Sequence, residues 1–338
     1  MSPSLGPVVL LLAFLSITPS VGAAVKSAST GYTSFTAGSK ADVPPPSGPV
    51  GGLVLMGGGS DVDAAFQWMC NRAGGGDFVV IRTTGTDAYN PYIKALCPQM
   101  DSVETIIITS TAGANATYVR DQIHHAEALW IAGGDQSTYT SLWRGTSVQT
   151  EVNYLLNTKQ APVGGTSAGL AVLSEFIYTG AAGSVTSSQA LDNPFHRYVT
   201  LEREVFTSPL RTNTIYDSHF VTRDRLGRLT VFLARIVDSG WSPSPRGIGI
   251  DEQTALLVEP SGSATGVGVG NAYFVQAPGP AQLLASKVPL TYQGIAVHRV
   301  AAGETFNVTT WTGSSGATYT LNVNNGVVTS TQPGGSIY

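Results

Sequence analysis

The feature that most constrains the fold is a series of short apolar runs in the first half of the chain. They cover residues 52–56, 78–81, 105–108, 128–132 and 161–163. None of them alternates between apolar and polar residues, which is the pattern of strands buried on both faces. Helix-forming stretches lie between these runs, and strands that alternate with helices favour right-handed crossovers. The sequence therefore predicts an α/β fold with a doubly wound, mostly parallel sheet.

The second half of the chain carries a different pattern. A strand over residues 214–216 and a helix over residues 226–237 continue the α/β alternation. From about residue 247 the apolar runs are β-rich and are separated by Gly and Pro, which predicts further strands. We therefore expect one α/β domain over residues 49–325 with extra C-terminal β-strands, followed by a flexible tail over residues 326–338.

The N-terminal region is typical of a secreted protein. An apolar run over residues 8–15 precedes the small residues 21–23, which predicts a signal peptide over residues 1–23. The run is too short to span a bilayer, so we expect no membrane segment after cleavage. Residues 24–48 form a polar, Pro-containing leader. The sequons at Asn115 and Asn307 are candidate glycosylation sites that agree with secretion.

Composition and cysteine content exclude several classes of function. Only 12% of residues are charged and the net charge is -4, which argues against a nucleic-acid partner. Cys70 and Cys97 have no paired His nearby, so we expect no metal site. Both lie near predicted helix ends, which favours a disulfide over two buried thiols. The glycine turn at residues 57–59 lacks a complete dinucleotide fingerprint, and we expect no cofactor.

The segment Gly165-Thr166-Ser167-Ala168-Gly169 fits the nucleophile-elbow pattern G-x-S-x-G. A predicted strand precedes it and an apolar helix follows, so the serine hydroxyl of Ser167 would stand clear of the backbone. The alternative is a purely structural role, in which the serine only caps a helix. The backbone N–H groups of Ala168 and Gly134 are candidates for stabilising an oxyanion.

A serine nucleophile needs a base, and a base needs an orienting acid. His219 is the best placed of the five histidines because it directly follows a predicted strand, whereas His124 and His125 are expected in mid-helix. The acid is left open among Asp217 and the neighbouring residues 251 and 252. The order Ser, His, acid differs from the Ser, acid, His order of ordinary α/β-hydrolases.

Substrate-binding candidates cluster near these residues. Gln136 follows a predicted strand and could present its side-chain amide. Arg223, Arg225 and Arg228 come just after His219, and arginine binds carboxylates with two parallel hydrogen bonds. The alternative is that these arginines start a solvated helix. If the substrate is acidic, at least one of them should point into the cleft.

Several ordered motifs over residues 51–310 resemble those of cyanophycinases, which are serine peptidases of the dipeptidase E-like group. The motifs are Gly-Gly-Asp-Gln at residues 133–136, Gly-Gly-Thr-Ser-Ala-Gly at 164–169, Ala-Leu-Asp-Asn-Pro at 190–194, Asp-Ser-His-Phe at 217–220 with the arginines after it, and Gly-Ile-Gly-Ile-Asp-Glu at 247–252. The resemblance implies a flavodoxin-like, class I glutamine amidotransferase-like fold.

The resemblance also implies roles for individual residues. Ser167 would be the nucleophile, His219 the base and Glu252 the orienting acid. The substrate site would include Gln136, Asp217, Ser218 and the three arginines. The family usually has Gln before the histidine, where this chain has Ser218. The implied substrate is an aspartyl and arginine-containing peptide, and a homodimer is a further expectation.

Two other functions compete with this interpretation. A secreted binding protein on the same fold would keep the site as a relic, and a fluorophosphonate label would distinguish it from an enzyme. An amidotransferase-like enzyme would normally carry Cys at the elbow, where this chain has Ser167. Within the peptidase hypothesis, other aspartyl or isoaspartyl dipeptides are alternative substrates.

Overall fold

A computed structural model describes residues 31–338 except residues 40, 42, 44 and 46. The predicted signal peptide, residues 1–23, and part of the predicted leader lie outside the described residues.

The described residues form strands and helices throughout. The strands are β1 (Tyr32–Gly38), β2 (Gly52–Met56), β3 (Asp77–Arg82), β4 (Ser102–Ile108), β5 (Ala128–Ile131), β6 (Pro162–Thr166), β7 (Phe176–Tyr178), β8 (Leu201–Arg203), β9 (Thr214–Asp217), β10 (Arg246–Ile250), β11 (Thr254–Val258), β12 (Ser263–Gly268), β13 (Ala272–Gln276), β14 (Leu283–Ala285), β15 (Val288–Val300), β16 (Thr305–Asn307), β17 (Thr312–Gly313), β18 (Ala317–Asn324) and β19 (Val327–Ser330). The helices are α1 (Asp63–Ala73), α2 (Tyr89–Leu96), α3 (Thr111–Ala114), α4 (Thr117–His125), α5 (Gln136–Trp143), α6 (Ser147–Tyr154), α7 (Ala168–Val172), α8 (Ser187–Asp192) and α9 (Leu226–Asp238).

The first sheet has ten strands in the order β1-β4-β3-β5-β6-β2-β11-β12-β16-β17. The five strands from β4 to β2 are parallel, and the others pair antiparallel. Side chains of both faces of β2 are buried: Leu53 and Leu55 pack in one core cluster, and Val54 and Met56 pack in another. This double burial is the reason why these strands show no alternation in sequence.

The second sheet has nine strands. Eight lie in the order β19-β18-β15-β13-β10-β9-β7-β8, and the ninth, β14, pairs with β15. Strands β10, β9 and β7 are parallel, and helix α9 packs near them in a third core cluster. The predicted α/β fold with extra C-terminal strands is confirmed. The division into two sheets was not predicted, and it brings strand ends from both sheets to one place.

Two segments expected outside the fold are part of it. β1, which falls within the expected leader, pairs antiparallel with β4 at the edge of the first sheet. The prediction of a flexible tail is wrong: β19 pairs with β18, and the Tyr338 hydroxyl accepts a hydrogen bond from the Leu226 backbone N–H at 3.1 Å. Both strands lie at sheet edges and are only partly buried, so neither carries a strong apolar signal.

A disulfide joins Cys70 in α1 to Cys97 at the end of α2. Both cysteines are fully buried in the core between these helices and the first sheet. Among the described helices, none combines the length and the hydrophobicity needed to cross a bilayer.

Candidate active site

Ser167 lies at the sharp turn between β6 and α7. Its φ of 54° and ψ of -110° are unusual for a residue with a side chain, which is the backbone strain expected of a nucleophile elbow. The flanking glycines are required by close packing. A Cβ on Gly165 would lie 2.5 Å from the Gly169 carbonyl carbon, and a Cβ on Gly169 would overlap the Ile131 carbonyl oxygen. The tight turn therefore depends on both glycines.

Ser167 is hydrogen-bonded to His219, which is hydrogen-bonded to Glu252. The Ser167 Oγ lies 2.8 Å from the His219 Nε2, and the His219 Nδ1 lies 2.5 Å from the Glu252 Oε1. We call these three residues the serine cluster. Ser167 follows a strand of the first sheet, whereas His219 follows β9 of the second sheet and Glu252 lies in the turn from β10 to β11. The cluster therefore forms where the two sheets meet.

The neighbouring acid Asp251 has a different environment. Its Oδ1 accepts a hydrogen bond from the Val221 N–H at 3.1 Å, and its Oδ2 accepts one from the Asn271 N–H at 3.0 Å. Burial raises the pKa of this carboxyl, and the two backbone donors oppose that rise. Both oxygens are occupied by the backbone, so Glu252 is the acid that reaches the histidine.

The turn after β2 supports the serine cluster, and this role was not predicted from the sequence. The Gly57 carbonyl accepts the His219 N–H at 2.7 Å, and the Gly58 carbonyl accepts the Gln253 N–H at 2.8 Å. A Cβ on Gly58, where φ is +95°, would overlap the His219 ring. The position of this turn at the end of a parallel strand was a usable signal.

Asp217, Arg225 and Arg228 form a second group, which we call the arginine cluster. Arg228 donates to both carboxylate oxygens of Asp217, at 2.6 and 2.8 Å. Arg225 donates to Asp217 Oδ1 at 3.3 Å and to the Ser218 Oγ at 3.2 Å. Burial lowers the pKa of Arg225 to about 10, and the Asp217 carboxylate opposes that fall.

The arginine cluster lies mostly inside the protein. The side chains of Asp217 and Arg228 are only 5% and 4% exposed, and that of Arg225 is 12% exposed. The Arg228 guanidinium also lies over the ring of Tyr178, at 4.8 Å from its centroid. Protein groups therefore surround the side chains of Asp217 and Arg228, and their predicted contacts with substrate stay predictions.

Arg223 is the exposed arginine of the three. Its side chain makes no hydrogen bond or ion pair with the described residues. Gln136, the first residue of α5, donates its side-chain amide to the Tyr178 carbonyl at 3.3 Å. Of the predicted substrate-binding residues, Arg223 has the freest charged group.

Burial lowers the pKa of His219 below its usual 6.5. The hydrogen bond to Glu252 opposes this effect, while the positive charges of Arg223 and Arg225 add to it. A histidine with a lowered pKa is neutral at pH 7, and only neutral imidazole accepts a proton from serine.

Backbone N–H groups stand on both sides of Ser167. Ala168 directly follows the serine and begins α7, where helix geometry leaves N–H groups without an intrahelical acceptor. On the other side, a Cβ on Gly133 would lie 3.7 Å from the Ser167 Cβ, which places the turn of residues 133 and 134 against the serine. Gly134 is exposed in this turn.

The remaining predicted features lie elsewhere. His124 and His125 are the last two residues of α4 rather than mid-helix residues, and His124 pairs with Glu151 at 2.7 Å. Asn115 is exposed and Asn307 is partly buried. No group of three or more His, Cys, Asp or Glu side chains in the described part of the chain could hold a metal ion.

The chain is similar in sequence to cyanophycinases. The chain is 26% identical to the cyanophycinase of Trichormus variabilis over 215 residues. The matched region covers 62% of this chain and 66% of the relative, so the chain spans just under two thirds of the relative's length. It is 24% identical to the cyanophycinase of Synechococcus elongatus over 277 residues, and this match covers 78% of this chain and 81% of the relative. The chain is 26% identical to the cyanophycinase of Geminocystis herdmanii over 247 residues, and this match covers 66% of this chain and 84% of the relative. No protein-family model matches the chain.

Among solved structures, a peptidase from an acI-B1 Actinobacterium superposes with a TM-score of 0.52 at 16% identity. The match covers 77% of this chain and 97% of that peptidase, and at this identity it shows a shared fold. The sequence relatives and this shared fold support a cyanophycinase/peptidase E-like family for the chain.

Proposed function

We propose that the protein hydrolyses aspartyl peptide bonds, including β-aspartyl bonds, with Ser167 as nucleophile. The observation that carries this proposal is the hydrogen-bonded chain from the Ser167 Oγ through the His219 ring to the Glu252 carboxylate at a strained elbow. The names of the sequence relatives support the choice of peptide.

The reaction has two halves. The His219 Nε2 accepts the Ser167 proton as the Oγ attacks the scissile carbonyl carbon, and Glu252 holds the imidazole in the required orientation. The N–H groups of Ala168 and Gly134 stabilise the oxyanion. His219 then gives its proton to the leaving amine, which leaves an acyl-enzyme. Water, deprotonated by His219, attacks the ester and regenerates Ser167.

The substrate carboxylate pairs with an arginine. An aspartyl residue linked through its side chain has a free α-carboxylate near the scissile bond. The exposed Arg223 follows His219 by four residues, and its guanidinium pairs with no residue in the described part of the chain. Arg225 is held by Asp217 and Ser218 and orients the backbone that carries His219.

The test combines labelling with a substrate panel. We expect a fluorophosphonate probe to label Ser167 in the wild type, and we expect β-Asp-Arg, α-Asp-Arg and other β-Asp dipeptides to be hydrolysed at different rates. A protein that is folded yet neither labelled nor active would instead be a binding protein on this fold.

We propose further that the protein is secreted, N-glycosylated at Asn115 or Asn307, and able to form a homodimer. The sequence supports the first two through its apolar N-terminal run and its sequons. Expression of the full chain in a eukaryotic secretory host, followed by mass measurement before and after glycan removal, tests secretion and glycosylation. Light scattering tests the dimer.

A further inference from the structure

The loop between β9 and α9, residues 218–225, carries both His219 and Arg223, and we call it the histidine loop. Two of its residues have positive φ without being glycine: φ is 47° at His219 and 45° at Asp224. Such conformations are costly for a residue with a Cβ, and they persist only where surrounding contacts fix them. Residues 221–224 are exposed, so the contacts that fix the loop lie mainly at its two ends.

The first end of the histidine loop is held by neighbouring strands. The His219 N–H donates to the Gly57 carbonyl at 2.7 Å, and the Phe220 N–H donates to the Ile250 carbonyl at 3.1 Å. The Phe220 side chain is fully buried against β10, because a Cβ on Gly249 would overlap its ring. The backbone of His219 is therefore fixed next to both sheets.

The second end of the loop contacts Tyr338, which is distant in sequence and follows β19. The Tyr338 hydroxyl accepts a hydrogen bond from the Leu226 N–H at 3.1 Å and donates one to the Asp224 Oδ1 at 2.7 Å. The Ser187 hydroxyl donates to the Asp224 carbonyl at the same end. Leu226 begins α9, and the N-cap residue Arg225 makes no side-chain capping hydrogen bond. Tyr338 therefore supplies the acceptor that the first N–H of this helix needs.

The protonation state of Tyr338 suits this double role. Burial raises the pKa of its hydroxyl above the usual 10, and the hydrogen bond to Asp224 raises it further. The hydroxyl therefore keeps its proton, and it can donate to the carboxylate while its oxygen accepts the N–H of Leu226.

The ring of Tyr338 also contacts the first end of the loop. It meets the Phe220 ring edge-on at a centroid distance of 5.9 Å and the Tyr273 ring at 5.8 Å. The segment before it is anchored to the second sheet, because the Tyr319 hydroxyl of β18 donates to the Ile337 carbonyl at 3.0 Å. One side chain thus joins both ends of the histidine loop to the second sheet.

We propose that Tyr338 is a positioning residue of the active site, which holds the histidine loop so that Arg223 faces the substrate carboxylate. The inference rests on the proposed function and deepens it, because it names a residue outside the serine cluster that sets substrate affinity. Arg223 precedes Asp224, and its guanidinium pairs with no described residue, so the loop backbone determines where this charge lies. His219 is held separately, so loss of the Tyr338 hydroxyl should change substrate binding more than the chemical step.

The first test separates KM from kcat. Tyr338→Phe keeps the ring and removes the hydroxyl, and it should raise KM for a β-Asp dipeptide by roughly three- to tenfold, the value of one neutral hydrogen bond. The kcat should stay within about twofold, the pattern of lost binding that ground state and transition state share. Tyr292→Phe is the matched control, since it removes a hydroxyl that donates to the Gly279 carbonyl at 2.6 Å elsewhere in the second sheet. Tyr338→Ala, which also removes the contact with Phe220, should lower kcat as well.

A double-mutant cycle tests whether Tyr338 acts through Arg223. Arg223→Gln should raise KM by itself, and adding Tyr338→Phe should raise it no further, because residues that act together are not additive. A tyrosine that only stabilises the fold would give the same KM ratio in both backgrounds. That additive result would overturn the proposal.

Hydrogen exchange measures the loop without turnover. In Tyr338→Phe the amides of residues 219–226 should exchange faster than in the wild type, while those of β2 and β6 keep their rates. Faster exchange throughout the chain, or no change in the loop, would overturn the positioning role, as would an unchanged KM in active Tyr338→Phe protein. A wild type that is neither labelled by a fluorophosphonate nor active on any dipeptide would instead overturn the proposed function, while the exchange rates still decide whether Tyr338 holds the loop.

Discussion

Two charged clusters meet where β9 ends, and they differ in how completely the protein encloses them. In the serine cluster the Glu252 side chain is 26% exposed, and Ser167 is partly buried in a strained turn. In the arginine cluster both carboxylate oxygens of Asp217 accept hydrogen bonds from Arg228, and both side chains are buried. Asp217 and His219 are only two residues apart, yet Asp217 pairs with Arg228 and His219 is hydrogen-bonded to Ser167 and Glu252.

The largest effect should come from Ser167→Ala. Loss of the nucleophile should lower kcat on the order of a million-fold while the free energy of unfolding changes little. Steady-state kinetics on a β-aspartyl dipeptide, with a denaturant titration beside it, measures both. Ser141→Ala, at an exposed position in α5, is the control. Activity within tenfold of the wild type would remove Ser167 from the mechanism.

The next largest effect should distinguish the roles of the adjacent acids Glu252 and Asp251. Glu252→Gln should lower kcat by on the order of ten thousandfold, because the amide no longer holds the imidazole in the right tautomer. Asp251→Asn should mainly lower stability, since Asp251 accepts hydrogen bonds from the backbone of residues 221 and 271. If Asp251→Asn were the more damaging change to kcat in folded protein, the assignment of the acid would be reversed.

Substitutions in the arginine cluster should lower the free energy of unfolding more than they lower kcat. Arg228→Met removes two of the hydrogen bonds to the buried Asp217 carboxylate and leaves only the longer one from Arg225, which should lower the free energy of unfolding by up to about 3–5 kcal/mol. Urea denaturation measures this loss, and kcat of the folded fraction should stay within tenfold. Arg203→Met removes a surface ion pair with Glu175 and should cost less than about 1 kcal/mol. A large fall in kcat without a loss of stability would make Arg228 part of the chemistry.

The smallest effect concerns the pH profile. In the proposed mechanism neutral His219 is the active form, and its pKa is lowered, so kcat/KM should rise with pH through a midpoint below about 6.5. Arg223→Gln removes a positive charge that lowers this pKa, so the midpoint should move to higher pH. The shift should be less than about one pH unit and should shrink as salt is added, since Arg223 is exposed. A shift to lower pH would contradict the electrostatic coupling.

The parallel core and the elbow were predictable because both have strong local signals. Strands buried on both faces are continuously apolar, and the glycines around Ser167 are required by contacts shorter than a Cβ allows. The edge strands β1 and β19 have no such signal, because each buries little of its surface.

The choice among the acids depends on the fold. Nothing local distinguishes Asp251 from Glu252: the backbone direction at the end of β10 turns one toward the amides of residues 221 and 271 and the other toward His219. The burial of Arg228 is likewise set by Val185 and by Tyr178 of β7, which lie far from it in sequence.

The meeting of the two sheets at the serine cluster has a consequence for the biosynthesis of this enzyme. Ser167 leaves the ribosome well before His219 and Glu252, and its own sheet is completed only when β11 pairs with β2. Until the Gly57 and Gly58 carbonyls receive the N–H groups of residues 219 and 253, no base stands beside the serine. The nascent chain therefore carries an unactivated hydroxyl, and the proposed hydrolytic activity should appear only once both sheets have docked.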